Sequence, residues 1–467
     1  MNMNPQITII MPSRNVAPYI RQCLDSVLAQ TFTDIEILSV DAESDDGTWE
    51  MLSEYAAKDE RIRLIRSSKR SYGYQVNIGI KEAKGRYIGI VETDDIIHPE
   101  MYSVLFAKAE ETGADYVKGA AQNYVEITPE VSYIENLNGI EKTDMANKTI
   151  VPRDHPELLE RDRFLWLGLY KTSFLRDNGI TLSETHGAAY QDIGFQAQVL
   201  TRADKAVYIN VPVYKYRQDN ADASGNSNGA FRYLAYEHGK VLSGMAAWSP
   251  EQRKYWYRKL LSQYIHRYHV MAVSGAFWTE SEADMNRCRE WVVAALNEGL
   301  ISEEGMDEDL CRRLSILREG VRETYGSFRM DHLRSRAVIK NWYSELRNKC
   351  NGIRCFDDNG RRFVIFGCGI NGRYVRCLME HFFPERVAAF CDNSPDMTGQ
   401  EILGLKVISP NDAVRGFSNA LFVIPSVRYE TEMREQLLEA GIRDDAIVVY
   451  PFGRDIELLT MDVRSLL

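Results

Sequence analysis

Three carboxylates fall within four residues at Glu92-Thr93-Asp94-Asp95, between the apolar run Tyr87 to Val91 and Ile96-Ile97-His98-Pro99. The run has the composition of a buried strand, and Pro99 opens a helix. Like charges held this close repel and raise each other's pKa. A divalent cation removes that cost, and hard cations such as Mg²⁺ or Mn²⁺ take carboxylate oxygens. Taken alone, an acidic strand-to-helix loop with a helix cap accounts for the pattern as well as a metal site does. A second acidic stretch, Asp41-Ala42-Glu43-Ser44-Asp45-Asp46-Gly47-Thr48, also follows an apolar run. A third acid, Asp192, sits in Tyr190-Gln191-Asp192 after the loop His186-Gly187-Ala188-Ala189 and starts a helix, where an N-cap or first-turn role is the plain alternative to catalysis.

The elements that must position these groups alternate. Ile7 to Met11, stopped by Pro12, reads as a buried parallel strand, and Ser13-Arg14-Asn15 as a turn. A helix from Ala17 to Gln30 carries Ile20, Leu24, Val27 and Leu28 on one face. Strands over Ile35 to Val40 and Arg61 to Arg66, helices from Trp49 to Lys58 and up to Ala83, and then the strand at Tyr87 continue the alternation, which specifies an α/β fold with a parallel sheet. Ligands on such sheets bind beyond the carboxyl ends of the strands. Pro12-Ser13-Arg14, Asp41 to Asp46 and Glu92 to Asp95 all lie at such ends and should converge on one crevice.

The stretch ITIIMPSRNVAPYIRQCLDSVLAQTFTDIEILSVDAESDDGT, followed by GRYIGIVETDDIIHPEMY, resembles the family-two glycosyltransferases with the A-type nucleotide-sugar fold. The resemblance covers about the first 220 residues of 467. It implies a mostly parallel sheet flanked by helices and a set of roles. Pro12, with Ser13 and Arg14, opens the first nucleotide loop. Asp41 contacts the base, and Ser44 and Asp46 complete that loop; Ala42 stands where the family commonly has Asp. Glu92, Thr93 and Asp94 match the acid-x-acid motif that holds nucleotide and metal, with Asp94 as ligand of Mg²⁺ or Mn²⁺. Glu92 suits a ribose hydrogen bond, and Asp95 an outer position or a helix cap. Asp192 matches the catalytic base, with Gln191 where the family commonly has Glu. UDP is the nucleotide implied.

Ala120 to Lys148 reads as an irregular, polar excursion on the acceptor side, with a turn at Asn136-Leu137-Asn138-Gly139. Phe164-Leu165-Trp166 and Leu169 to Leu175 read as core, with Trp166 as an alternative sugar platform. Ala206 to Ile209 and Val213 to Arg217 read as two strands. Gln218 to Gly229 is almost wholly Asn, Asp, Ser, Gly and Ala and reads as a mobile loop. Arg217 at its edge is either a diphosphate ligand or a solvated strand-end side chain. Phe231 to Lys349 is helical in pattern without a catalytic constellation, a structural or oligomerising region; Arg253 to Lys259 also suits contact with a membrane surface.

A second α/β unit follows. The strand Arg362 to Phe366 runs into Gly367-Cys368-Gly369-Ile370-Asn371-Gly372, and Asp392 follows another strand. Gly367, Gly369 and Gly372 match the dinucleotide fingerprint, with Asp392 where a ribose-binding acid belongs. This part is similar to small Rossmann-like domains appended to sugar-modifying enzymes, and no Tyr-Lys or Cys-His set accompanies it. The expected division is 1–230 (transferase domain), 231–355 (helical) and 356–467 (Rossmann-like).

A net charge of -11 argues against broad nucleic-acid binding. The eight cysteines lack a CxxC pair and read as reduced thiols of a cytoplasmic chain, soluble or peripheral at the inner face of a membrane. MNMNPQITIIMP lacks the basic start of a signal peptide, and Val270 to Trp278 falls short of the ~20 residues that span a bilayer. The expected partners are a nucleotide-sugar donor, a glycan, lipid-linked or protein acceptor, and further copies of the chain. Two rival readings remain: a dinucleotide-dependent oxidoreductase centred on Gly367 to Asp392, and a non-catalytic sugar-binding or assembly protein.

Overall fold

The computed structural model describes residues 4–128, 131–136, 139–140, 143–218, 220, 230–275, 277–303, 306, 308–331, 360–369, 371–373, 375–376, 379, 383, 385–425 and 430–449. They fall into two compact units, 1–123 with 136–329, and 124–135 with 330–467. The loop expected at Gln218 to Gly229 lies outside the described residues apart from 218 and 220, as do 332–349 of the helical region, Cys350, Cys355 and Cys377. The described cysteines, Cys23, Cys288, Cys311, Cys368 and Cys391, are free thiols.

The first sheet is built on β1 (Ile7–Ser13), β2 (Ile35–Asp41), β3 (Ile62–Arg66) and β4 (Tyr87–Ile90). These four run parallel in the order β3-β2-β1-β4. β5 (Ile96–Ile97), β6 (Tyr116–Thr128), β7 (Val131–Asn136), β8 (Thr149–Ile150), β9 (Gly168–Lys171) and β10 (Ala206–Arg217) complete it, with β9 antiparallel to β4 and β10 antiparallel to β5. The β1 side chains alternate between two cores. Ile7, Ile9 and Met11 pack with α1 (Ile20–Leu28) and α4 (Met101–Thr112), while Ile10 packs with α3 (Tyr72–Glu82). A strand buried on both faces needs this near-continuous apolar sequence.

Several boundaries differ from the sequence reading for local reasons. β1 continues through Pro12, which pairs with Val40, because a parallel ladder tolerates a missing N–H near its end. α1 starts at Ile20, not Ala17: Thr48 Oγ1 accepts the Val16 N–H and Asp46 Oδ2 the Ala17 N–H, both at 2.9 Å, so those donors serve the next loop instead of a helix. The stretch expected to be irregular from Ala120 is not so over 120–128 and 131–136. These residues lie in β6 and β7, which pair, as the β-rich YVKGAAQNYVEIT and VSYIEN compositions allow. Part of the expected turn at Asn136 to Gly139 lies outside the described residues. β10 is one strand, not two.

The helical region contributes α8 (Ala230–Gly244), α9 (Pro250–Ser274), α10 (Glu282–Asn297) and α11 (Glu308–Glu319), after the short α5 (Leu158–Arg161), α6 (Thr172–Asp177) and α7 (Gln191–Arg202). α9 begins at a reciprocal capping box between Ser249 and Gln252. Phe231, Trp256, Leu260, Tyr264, Tyr268 and Leu314 lie in the same core as Ile10, Ile88 and Ile193. The helices are therefore a layer of the first unit. Among the described residues no helix is long and apolar enough to cross a membrane.

The second unit holds a sheet in the order β13-β14-β12-β11-β15-β16, with β11 (Phe363–Phe366), β12 (Val387–Cys391), β13 (Glu401–Ile402), β14 (Leu405–Ile408), β15 (Leu421–Ile424) and β16 (Ile447–Val449). All neighbours are parallel except β13 and β14.

Candidate active site

The ends of β1, β2 and β4 are sewn together by side chains. Asp41 is fully buried and accepts from Ser44 Oγ at 2.5 Å and Ser44 N at 3.1 Å, with Ser13 Oγ at 3.4 Å. Ser44 Oγ in turn accepts the Asn15 N–H at 2.9 Å, which fixes Asn15 in the left-handed region. Asp46 accepts from Ala17 N, Thr48 N and Thr48 Oγ1. Burial opposes its charge, yet these donors outweigh burial and hold its pKa below the usual carboxylate value. Gln75 Nε2 donates to Ser13 O and Val40 O at 2.8 and 2.5 Å, joining α3 to both strand ends. Pro12 and Ser13 are buried and Arg14 is exposed.

At the end of β4, Thr93 Oγ1 donates to Pro12 O at 2.9 Å and pulls the acidic turn against the first loop. Glu92 accepts the Tyr72 hydroxyl proton at 2.5 Å. Burial nevertheless raises the Glu92 pKa to about 8, and the charges of Asp94 and Asp192 add to the rise. Asp95 is buried and also raised, by burial and then by Asp94, although its Oδ1 accepts the Arg217 N–H at 2.7 Å. Arg217 Nε donates to Asp94 O at 2.8 Å, its guanidinium reaches Gln22 Oε1, and it lies over the Tyr19 ring. At 5% exposure it is not a solvated strand-end side chain but part of the acidic turn. Asp94 accepts from Asn220 Nδ2 at 2.7 Å and remains partly accessible.

Asp192 is the second helical residue of α7 and partly accessible. Gln191 is wholly committed elsewhere. Its Nε2 donates to Thr185 O and Thr185 Oγ1, each at 2.7 Å, and to Gly187 O at 3.2 Å, and its Oε1 accepts the Gly73 N–H at 3.1 Å. The amide ties the 185–187 loop to α3, leaving Asp192 as the acid of the pair. Burial raises the Asp192 pKa, opposed by the positive charges of Lys259 and Lys118 and by backbone donors.

Those lysines belong to a buried polar network beside α7. Lys118 Nζ and Asp162 Oδ1 form an ion pair at 2.6 Å, almost fully buried, and Tyr208 donates to Asp162 Oδ2 at 2.9 Å. Lys259, from α9, donates to Asp162 O at 3.1 Å and Gln196 Oε1 at 3.4 Å. Burial lowers its pKa to about 8, against the attraction of Asp192 and Asp162. Tyr72, Lys118 and Lys259 were not singled out from sequence. Lys259 entered the sequence reading only within the run Arg253 to Lys259, as a candidate for contact with a membrane surface. Trp166 is core, 5% exposed and stacked between Phe164 (4.5 Å) and Tyr214 (4.1 Å).

Among the described residues no three His, Cys, Asp or Glu side chains converge into a metal cage. The acidic turn still fits a cation that arrives with its ligand. Mg²⁺ sites commonly use one or two carboxylates and complete the shell with substrate phosphates, and the mutual repulsion of Glu92, Asp94 and Asp95 is relieved by such a charge.

In the second unit, Gly367 adopts φ +106 and its N–H meets Cys391 O at 2.7 Å. A Cβ on Gly372 would stand 1.9 Å from Gly367 O, so only glycine fits there. Asp392 Oδ2 accepts from Cys368 N at 2.9 Å and Cys368 Sγ at 3.0 Å, and Oδ1 from Ser394 N at 2.9 Å. Gly369 lies in the same turn.

A four-strand parallel core with an acidic turn at the end of β4, facing an acid on α7, defines an A-type glycosyltransferase fold. Residues 8–167 match the family model described as glycosyl transferase family 2, so the N-terminal part of the chain is a family 2 glycosyltransferase domain. Among curated relatives, the uncharacterized glycosyltransferase EpsJ of Bacillus subtilis is 28% identical over 222 residues, 46% of this chain and 62% of EpsJ. The poly(ribitol-phosphate) beta-glucosyltransferase of Bacillus spizizenii is 30% identical over 207 residues, 43% of this chain and 30% of that protein. The chain thus covers less than two thirds of the length of either. The crystal structure of S. aureus TarS 1-349 in complex with UDP-GlcNAc superposes with a TM-score of 0.51 at 16% identity, over 71% of this chain and 92% of that one, a likeness of fold.

Proposed function

We propose that the first unit transfers a sugar from a nucleotide-diphosphate donor, UDP being the nucleotide, to an acceptor hydroxyl of a growing surface glycan, with inversion at the anomeric carbon. The observation that carries this reading is that the start of α3 holds both kinds of acid together: the Tyr72 hydroxyl donates to Glu92 of the acidic turn at 2.5 Å, and the Gly73 N–H to Gln191, the neighbour of Asp192, at 3.1 Å. Pro12, Ser13, Arg14, Asp41, Ser44, Asp46, Glu92, Thr93, Asp94 and Arg217 form the donor side. Within it Asp41 and Asp46 also hold the loop, each accepting hydrogen bonds from the loop's own donors. Asp94 would hold a Mg²⁺ or Mn²⁺ ion, which when bound stabilises charge on the leaving diphosphate.

Asp192 accepts the acceptor hydroxyl proton as that oxygen bonds to the anomeric carbon. The bond from that carbon to the diphosphate oxygen breaks, and the nucleotide leaves with the electron pair. Lys259 and Lys118 oppose the rise that burial imposes on Asp192 and so favour its ionised form. The glycan acceptor is supported by the relative whose name specifies a polymer, poly(ribitol-phosphate). The division at 1–230, 231–355 and 356–467 stays our proposal for the boundaries. A nucleotide site at Gly367, Gly369, Gly372 and Asp392 is proposed as a binding or regulatory module.

A donor panel read by released nucleotide tests the function. UDP-sugars are expected to turn over, chelator to abolish turnover, and Mg²⁺ or Mn²⁺ to restore it. Full turnover in chelator would remove Asp94 from its role, and no turnover of any donor would remove the transferase reading.

A further inference from the structure

We propose that a cavity between the 185–186 loop, α8 and α10 is an acceptor subsite for an anionic sugar, one bearing a carboxylate or a phosphate. The inference rests on the transferase reading and adds the charge of the acceptor. The cavity holds about 310 Å³, within the ~300–1,000 Å³ of small-ligand sites. Thr185 and His186 line it from the loop, Arg232, Tyr233 and Tyr236 from α8, and Asp284 and Arg287 from α10.

The charge count is asymmetric. Two guanidiniums face one carboxylate, in a chain whose net charge is -11. Asp284 and Arg287 stand 3.7 Å apart, so that pair is loosely matched. Among the described residues Arg232 is exposed and makes no hydrogen bond or ion pair, which leaves its planar fork of donors free to pair a carboxylate or phosphate. Tyr236 is 50% exposed, a large aromatic ring left in solvent at the cavity mouth. Tyr233 and Tyr236 each offer an apolar ring face and a hydroxyl, which suits a saccharide that is apolar on its C–H faces and polar at its rim.

The cavity is also tied to the reacting centre. Gln191 clamps Thr185 by two hydrogen bonds of 2.7 Å, and the next residue is Asp192. The wall formed by Thr185 is therefore fixed relative to the start of α7. An anionic residue seated on Arg232 and Arg287 sets the acceptor chain next to the loop that leads into the base.

The test uses the full chain, calorimetric or ligand-observed NMR titration, and defined probes: a glucuronate-terminated disaccharide, its carboxyl-reduced counterpart, and a glycerol phosphate oligomer. One charged probe, carboxylate or phosphate, is expected to bind at least about tenfold more tightly than the neutral disaccharide, the scale of a charge-assisted hydrogen bond. Which of the two wins identifies the anion. The double variant Arg232→Ala/Arg287→Ala should erase the preference, and Asp284→Asn should strengthen it by freeing Arg287. UDP titration of the same samples checks that the variants are folded. Equal affinity for charged and neutral probes, a preference that survives the double variant, or no binding of either charged probe overturns the proposal. Donor turnover is read separately, so failure of the transferase reading shows as absent nucleotide release whatever the charge preference.

Discussion

Glu92 and Asp392 both follow a parallel strand of their own sheet, and they live in opposite conditions. Asp392 accepts two backbone N–H groups and the Cys368 thiol. Burial works against its charge, but those donors outweigh it and hold its pKa below the usual carboxylate value. Glu92 has a tyrosine hydroxyl and little else to balance burial and two neighbouring acids, and its pKa rises to about 8. An acid whose lone pairs are filled by the backbone is a clamp that shapes a turn. A group of acids that raise one another carries a repulsion that a positive charge relieves, and such groups collect where ligands bind. The two units thus hold an acid at the same position on the same kind of sheet, one satisfied by the donors of its own turn and one opposed by burial and by its neighbours.

The largest expected effect that sharpens this contrast is at Asp192. Asp192→Asn keeps the size and the place in the first turn of α7 but removes the proton acceptor. Sugar transfer should fall by about 10²–10⁴-fold, the usual loss for a general base, with UDP affinity nearly unchanged. Asp94→Asn should lower rate and also weaken metal and UDP binding. Transfer rate and UDP affinity measured on both variants separate the roles. An Asp192→Asn enzyme working near the wild-type rate would make Asp192 a helix-start acid and place the base elsewhere.

A smaller effect of a different kind is expected at Asp392. Because its folded pKa is lowered, it stabilises the second unit above the ordinary carboxylate pKa, and that contribution is lost as pH falls through the folded value. Asp392→Asn should cost on the order of 1–2 kcal/mol, seen as a lower denaturation midpoint near pH 7, and the gap from wild type should close in acid. If the variant instead denatures like wild type near pH 7 and loses binding to a nucleotide, Asp392 is a ligand and not a clamp, and the contrast with Glu92 dissolves.

The parts of this arrangement that were legible in the sequence are those written in local pattern. Continuous apolar strands such as ITII and YIGI, each ending in Pro, Asp or Glu, announce a parallel core and its functional edge. The family pattern then picks Asp192 out of many acids. What stayed hidden depends on distant partners. Lys259 stands in a run of Arg, Lys and aromatic residues that suits a solvated or membrane-facing helix, yet it is 5% exposed and reaches Gln196 of α7. Nothing local says which face of a 25-residue helix turns inward. Gln191 is similar: sequence shows only that it cannot be an acid, while its four hydrogen bonds make it the clamp of the 185–187 loop. The β6–β7 pairing was missed because its polar residues masked a β-rich alternation.

The smallest expected effect asks whether the helical layer tunes the chemistry or only covers the sheet. Lys259 and Lys118 are the cations that act on Asp192, against burial. Lys259 titrates at about 8, so below that pH it is charged and holds the Asp192 pKa down. The base must be ionised to accept a proton, so activity is lost as pH falls through its pKa. Lys259→Met removes one cation, the Asp192 pKa rises, and the acid limb of the rate profile moves to higher pH. Lys118 remains and limits the shift. Lys259→Arg keeps the charge and should leave the limb in place. A residue that merely packs would lower the rate equally at every pH, because the loss of its hydrogen bonds to Asp162 O and Gln196 Oε1 does not depend on the state of Asp192. A Lys259→Met profile parallel to wild type would therefore confine the helices to structure, whereas a displaced acid limb would make α9 part of the reacting centre's electrostatics.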